Sequence, residues 1–432
     1  MILLVTTLVL AQAWDKPVGT PEIRPRTYRS DGPFRTSRLG SGDETGSFEF
    51  APSTGIGMGA ACACVNPTGS RGETMTFTRS SDAFCTKANT TSSILNGDLV
   101  ACSTDQIRVM PGGDGTGALG TLLEITRTNA ILRSQEFDNA AWTKDRVVAA
   151  APVVWANDAG APDGTATADA IHIDATSGGQ QSIVYQTGAG NNVSSLSLYV
   201  KGAVPPDGGV AQAGQIDFIT VVSSAQVCAV CSYAANTWTR CTMENLNINL
   251  GGYLWFGNDS FNCPGTKTAQ DVLVWGAQVE VGPFVSSYIP TTSAAVARSA
   301  DSTAVFTMQT AIGPNFSLAA SAIWPSTNAT IATAAQLGTA APDMARVGRT
   351  NNTSARYTIG STVTTPAVAA MGVTEHRASL ADTGGVRNAY WDLGLSTAPA
   401  ASMTTSTTAA VIGVANGVVK KVCMDPNPAR CR

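Results

Sequence analysis

The chain has few residues suited to catalysis and many suited to recognition. Histidine occurs only as His172 and His376, so a Ser-His-Asp triad would have to use one of them. Neither lies beside a nucleophile-elbow motif. His376, after Glu375 at the start of a predicted strand, reads as a partly exposed strand residue, and no histidine cluster exists for a catalytic metal. Glycoside cleavage needs no histidine, only two carboxyl groups about 5 to 10 Å apart across a sugar. Glu124, Glu136, Glu244, Glu280 and Glu375 are the candidates, and none forms a paired E-x-D-x-x-E strand signature.

Sugar binding without catalysis asks for aromatic rings that stack on the CH faces of a pyranose, with amides, carboxylates or arginine for its hydroxyls. Trp155, Tyr185, Tyr199, Tyr253 and Trp255 are placed for this in the middle of the chain, and Tyr390 and Trp391 near its end. In an extended strand Tyr253 and Trp255 share one face while Leu254 and Phe256 share the other. One of those faces is core, and burial in a core is the competing reading for each ring.

Ten cysteines fall into even groups: Cys62, Cys64, Cys85 and Cys102; Cys228, Cys231, Cys241 and Cys263; Cys423 and Cys431. This is the pattern of bridges closed within separate stretches in an oxidising compartment. The middle four could also be written as a four-thiolate zinc site. Cys228 and Cys231 lie three apart, so a strand sends their side chains to opposite faces and their mutual pairing is disfavoured. A Cys423–Cys431 bridge would enclose a short loop with two prolines. Gly115-Thr-Gly-Ala-Leu-Gly120 matches G-x-G-x-x-G, but β-branched residues follow it instead of a helix, so it reads as a turn between strands.

The elements that must position these residues are strands. With 432 residues the chain exceeds one core and suggests several domains. Apolar residues make up 44% and charged ones 13%, about half of the usual ~25%, so Thr, Ser, Asn, Gln and Gly build the surface. The net charge of −4 and the lack of basic runs exclude nucleic acid as a natural partner. Residues 1–13 form a short apolar run ending in a small-x-small signal, read as a signal peptide and too short to span a bilayer, and no other segment could span one. Residues 14–45 read as a leader or linker and 46–125 as a small disulfide-stapled β unit. Residues 126–300 read as a half-buried alternating sandwich, in which Ser195-Leu-Ser-Leu-Tyr-Val-Lys201 places Leu196, Leu198 and Val200 on one face. Residues 301–432 read as a further sandwich. The class is all-β: a multidomain, disulfide-stapled β-sandwich or jelly roll.

Two segments bracket the middle region, Arg127-Thr-Asn-Ala-Ile-Leu-Arg-Ser-Gln-Glu-Phe-Asp-Asn-Ala-Ala-Trp142 and Trp275-Gly-Ala-Gln-Val-Glu-Val-Gly-Pro-Phe-Val-Ser-Ser-Tyr-Ile-Pro290. With Thr76-Phe-Thr-Arg-Ser-Ser-Asp82 and the Gly120-to-Asn129 lead-in, they resemble phage tail and head fibre proteins that carry a carbohydrate-binding-module-like jelly roll. The order of short motifs after residue 376 resembles concanavalin-A-like or laminin-G-like sandwiches. The resemblance implies core positions for Trp142, Trp238 and Trp275, motif-fixing acceptor roles for Glu124 and Glu280, and a structural calcium held by Glu136, Asp138 and Asp271, with no other cofactor required. It implies a secreted or virion-surface protein that attaches to a surface glycan or polysaccharide without catalysis. A glycan hydrolase or lyase using a carboxylate pair, and a purely structural homo-oligomer, are the alternatives. Typical fibre proteins lack a signal peptide and are poor in cysteine, which leaves the biological carrier open.

Overall fold

The computed structural model describes residues 48–50, 63–65, 74–86 and 98–425, apart from internal stretches of which the longest are 112–118, 324–331 and 369–375. Every regular element among the described residues is a strand. No helix among them is long and apolar enough to cross a membrane. The expected signal peptide and leader lie outside the described residues.

The middle of the chain folds as two five-stranded antiparallel sheets packed face to face. One orders Val153–Ala159, Ala168–Ile173, Gln270–Val281, Asn192–Gly202 and Thr239–Ile248. The other orders Ala225–Tyr233, Gly214–Val222, Tyr253–Asp259, Gln181–Thr187 and Thr143–Val147. The chain passes repeatedly from one sheet to the other, as in a jelly roll. The period-two alternation sends Leu196, Leu198 and Val200 inward, against Phe218, Leu254 and Phe256 of the facing sheet. Each such ring or branched chain contributes about 1.5–3 kcal/mol by leaving water.

The two bracketing segments meet in space and close this sandwich. Arg127–Asn129 pairs with Val296–Arg298 as a two-stranded clasp. The buried Asn129 amide donates to the carbonyls of Ala277 (3.0 Å) and Ile289 (2.8 Å), and its oxygen accepts from the N–H groups of Ile131 and Val279. Tyr288 Oη lies 2.6 Å from Ser134 Oγ. Trp142 Nε1 donates to the Arg133 carbonyl at 2.9 Å, and the Trp142 ring packs on Phe137 in the core.

The remaining strands build a second sandwich from both ends of the chain. One sheet orders Ala63–Val65, Ile107–Pro111, Leu119–Leu123, Gly417–Asp425, Phe316–Ile323, His376–Thr383, Val386–Trp391 and Gly394–Ser396, with Phe48–Phe50 also paired to Gly417–Asp425. The other orders Thr362–Thr364, Ser354–Ile359, Ala345–Asn351, Ala332–Leu337, Thr407–Val414, Ala304–Ile312 and Thr74–Thr76. The strands of 46–125, expected as a small β unit, are drawn in part into these sheets. They are three to five residues long, too short to bury a face alone. Ala83–Thr86 and Leu99–Cys102 pair as a separate two-stranded sheet, and the others extend the sheets of the C-terminal region, with Leu123 opposite Gly417 and Thr76 opposite Val305. The middle sandwich is therefore an insertion between two halves of a host sandwich.

A buried ion network joins the two bodies. Arg108 pairs with Glu124 (2.6 Å) and with Asp301, and Arg79 pairs with Asp301 at 3.1 Å, all with side chains at most 5% exposed. Arg108 Nη1 also donates to Ser287 Oγ at 2.8 Å, which ties the network to the second bracketing segment.

Candidate functional site

The two sheets of the middle sandwich present outer faces with different fates. On the sheet centred on Gln270–Val281 the outer side carries Ala170, Tyr199, Leu273 and Trp275, and these pack with Leu99 and Phe84 of the N-terminal region and with Tyr288. That face is covered. On the sheet centred on Tyr253–Asp259, Tyr185 stands directly opposite Trp255, and both side chains are half-buried outside the core. Their ring centroids are 5.7 Å apart, tilted by 57°. The same cross-strand row places the exposed Thr143 beside Tyr185 and the buried Ile219 beside Trp255. The next row places exposed Asp145 opposite Ile183. Gly257, at φ +146°, lies opposite Ile183 at the centre of this sheet, where a Cβ would come within 2.4 Å of the Ser182 carbonyl. Two apolar ring surfaces flanked by a hydroxyl and a carboxylate can take the CH face and the hydroxyls of a sugar ring.

At one end the two sheets part around a cavity of about 470 Å³, lined by Ala203, Pro205 and the 212–215 and 266–271 segments with Tyr233 and Asn258. Tyr233 Oη donates to Gln270 Oε1 at 2.7 Å, and Gln270 Nε2 donates to Asn258 Oδ1 at 2.7 Å. Burial, and next the charge of Asp271, push the Tyr233 hydroxyl up to about 12, so it stays a neutral donor.

The other expected binding residues divide. Trp155 is 39% exposed on the edge strand Val153–Ala159. Tyr253 lies in register opposite Thr187, two residues before Trp255. Tyr199 is a correction: its ring is fully buried, 5.7 Å from Trp275 and 6.5 Å from Tyr288, with the Arg240 guanidinium 5.3 Å above it. The alternation placed it on the outer face, and that face is the covered one. Trp391 is likewise buried, in the host core, where it stacks on His376. Tyr390 is half-buried, and its carbonyl accepts from Tyr357 Oη at 2.8 Å. Trp142, Trp238 and Trp275 are all buried.

The expected calcium ligands are not brought together. Asp271 Oδ1 is 2.8 Å from His172 Nδ1, and Glu136 pairs with Arg133 at 3.0 Å. Among the described residues the one group of three ligand atoms close enough to share an ion is Asp217, Cys228 and Cys263. Both sulfurs of that group are in a Cys228–Cys263 bridge, and Asp217 is paired with Lys267 at 2.7 Å. Cys231–Cys241 is the second bridge, and it staples one sheet to the other. Cys228 and Cys231 thus point to opposite faces, as their spacing requires. Cys85 and Cys102 are both disulfide-bonded, yet their sulfurs are 3.8 Å apart, too far for a mutual bond. Cys62 lies outside the described residues, as do the side chain of Cys64 and the expected Cys423–Cys431 loop.

Glu124 and Glu280 act as structural acceptors. Glu124 takes the N–H and Oγ of Ser287 at 2.8 and 2.7 Å. Arg298 and Arg108 overcome its burial and hold its carboxyl far below the usual range. Glu280 accepts from Ser286 Oγ at 2.6 Å and Gln278 Nε2 at 3.0 Å, and burial raises its pKa. Neither carboxylate faces solvent.

Sequence reasoning missed the end cavity and Phe261, which is 64% exposed. The signal for Phe261 was its setting: an aromatic in Asp259-Ser-Phe-Asn-Cys-Pro-Gly265, a turn with no strand face to bury it. No protein-family model matches the chain, and no curated protein matches its sequence.

Proposed function

We propose that the chain is a non-catalytic attachment protein of fibre or adhesin type, secreted or displayed on a virion surface, which binds a glycan through the open sheet of its inserted sandwich. The Tyr185–Trp255 pair carries this reading. The two rings stand side by side, half-buried and outside the hydrophobic core, with the exposed Thr143 and Asp145 on the neighbouring edge strand. The bracketing-motif resemblance points the same way, and the disulfides suit an extracellular setting. Stacking on rings supplies affinity for a sugar without any acid or base, and the burial of Glu124 and Glu280 removes those two from a catalytic pair. A glycan array read for both retained protein and cleaved glycan tests this: retention without cleavage is expected, and cleavage overturns it.

A structural, self-associating role is the second reading, favoured by the exposed edge. Val147, Val148, Val153 and Trp155 are all exposed where the edge strands of the two sheets follow one another. Concentration-dependent assembly abolished by Trp155→Lys, with no glycan retention, would select it.

A further inference from the structure

The cavity at the end of the inserted sandwich is built for a neutral ligand. Of its two charged linings, Lys267 is ion-paired with Asp217 at 2.7 Å, and Asp271 shares a 2.8 Å hydrogen bond with His172. The remaining polar side chains that line it are uncharged: Gln212, Gln215, Thr266 and Thr268, all exposed, and Tyr233, Asn258 and Gln270 deeper in. An anionic ligand would find no free cation there to offset its desolvation, whereas hydroxyls can exchange water for amide and phenol partners.

The deep groups are held before any ligand arrives. Asn258 Nδ2 donates to the carbonyls of Asp174 and Thr268, both at 2.8 Å, which fixes its oxygen toward Gln270, and Gln270 in turn fixes Tyr233. Preorganisation of this kind lowers the ordering cost of binding. Two glycines let the lining segments approach closely. A Cβ at Gly214 would lie 2.4 Å from Tyr233 Oη, and one at Gly202 would lie 2.2 Å from the Gln212 carbonyl. A volume of about 470 Å³ falls in the range of small-ligand sites, roughly 300–1,000 Å³.

We propose that this cavity is a second binding site, which takes one unit of a neutral, hydroxyl-rich saccharide between its amide-lined walls. It is separate from the Tyr185–Trp255 face and is formed by different residues. Ligand-observed saturation-transfer NMR on the full oxidised chain tests it, with the methyl glycosides of glucose, galactose, mannose, rhamnose and N-acetylglucosamine as probes and glucuronate as the charged comparison. Saturable binding of at least one neutral glycoside is expected, persisting in Trp255→Ala. Ala213→Trp places a large side chain from an exposed position into the cavity and should weaken that binding by roughly tenfold or more. Gln215→Ala, a smaller surface change, should weaken it in the same direction and serves if the tryptophan variant does not fold. Absence of saturable binding, a preference for glucuronate, or binding that survives the cavity variants would each overturn the proposal. Loss in Trp255→Ala with retention in Ala213→Trp would assign sugar binding to the sheet face alone.

Discussion

Tyr199 and Trp275 on one sheet of the inserted sandwich, and Tyr185 and Trp255 on the other, are matched pairs with opposite environments. Both pairs lie on outer faces, and in both the rings are neighbours at 5.7 Å. The first pair is sealed beneath Leu99, Phe84 and Tyr288, while the second remains half-exposed. The difference teaches that alternation along a strand selects a face, but coverage of that face is decided by distant chain. Here the covering chain is the two-stranded sheet of Ala83–Thr86 and Leu99–Cys102, together with Tyr288. The same contact that hides one face fixes the inserted sandwich on its host and leaves the other face outward.

The largest effect should come from cutting the covered side. Trp275→Ala removes a fully buried ring and the Nε1 bond to Thr167, and is expected to cost about 3–5 kcal/mol in denaturant unfolding. Trp255→Ala, half-buried, should cost about 2 kcal/mol or less. Equal costs would mean that the two faces are buried alike. Asp301→Ala should also cost about 3–5 kcal/mol, because it leaves Arg79 and Arg108 buried with a partner removed. A change near zero would show that the junction network is hydrated.

Smaller effects sharpen the picture within the sandwich. Paired replacement of Cys231 and Cys241 by serine should cost about 2–3 kcal/mol, measured against the same protein with the bridge intact. Acid should act on the junction through Glu124. Its folded pKa lies below its ordinary value of 4.5, so its contribution is complete above that value and is lost as pH falls below it. Glu280 has the opposite sign: its folded pKa is raised, so a cost present at neutral pH is relieved as pH falls through that value. Glu124→Gln is therefore expected to lower stability at pH 7 and to flatten the decline below pH 4.5, followed by unfolding curves at several pH values. An unchanged acid slope would contradict the assignment.

Much of the sandwich was legible in residue order. The shared face of Leu196, Leu198 and Val200, the separation of Phe256 from Trp255 onto opposite faces, and the divergence of Cys228 from Cys231 all follow from a period of two. The bracketing motifs were also legible as partners, and Asn129 shows why, since its amide stitches the two together. Four things were not legible. The burial of Tyr199 depends on Leu99, a hundred positions away in the chain. The residence of Leu119–Leu123 beside Gly417–Asp425 is a pairing across about three hundred residues, with no local signal. The pairing of Asp271 with His172 and of Glu136 with Arg133 has no signal in residue order. The end cavity escaped notice because Gln215, Asn258 and Gln270 look like ordinary polar strand ends until two sheets place them around one space.

The most direct test of the open face compares glycan retention by the native protein, Trp255→Ala and Tyr185→Ala on the same array, with thermal unfolding recorded for each. Retention by the native chain, reduced roughly tenfold or more in both variants while the unfolding transition stays cooperative, is the predicted result. Undiminished retention in both folded variants would contradict a binding platform at Tyr185 and Trp255, and no retention by the native protein would contradict glycan attachment itself.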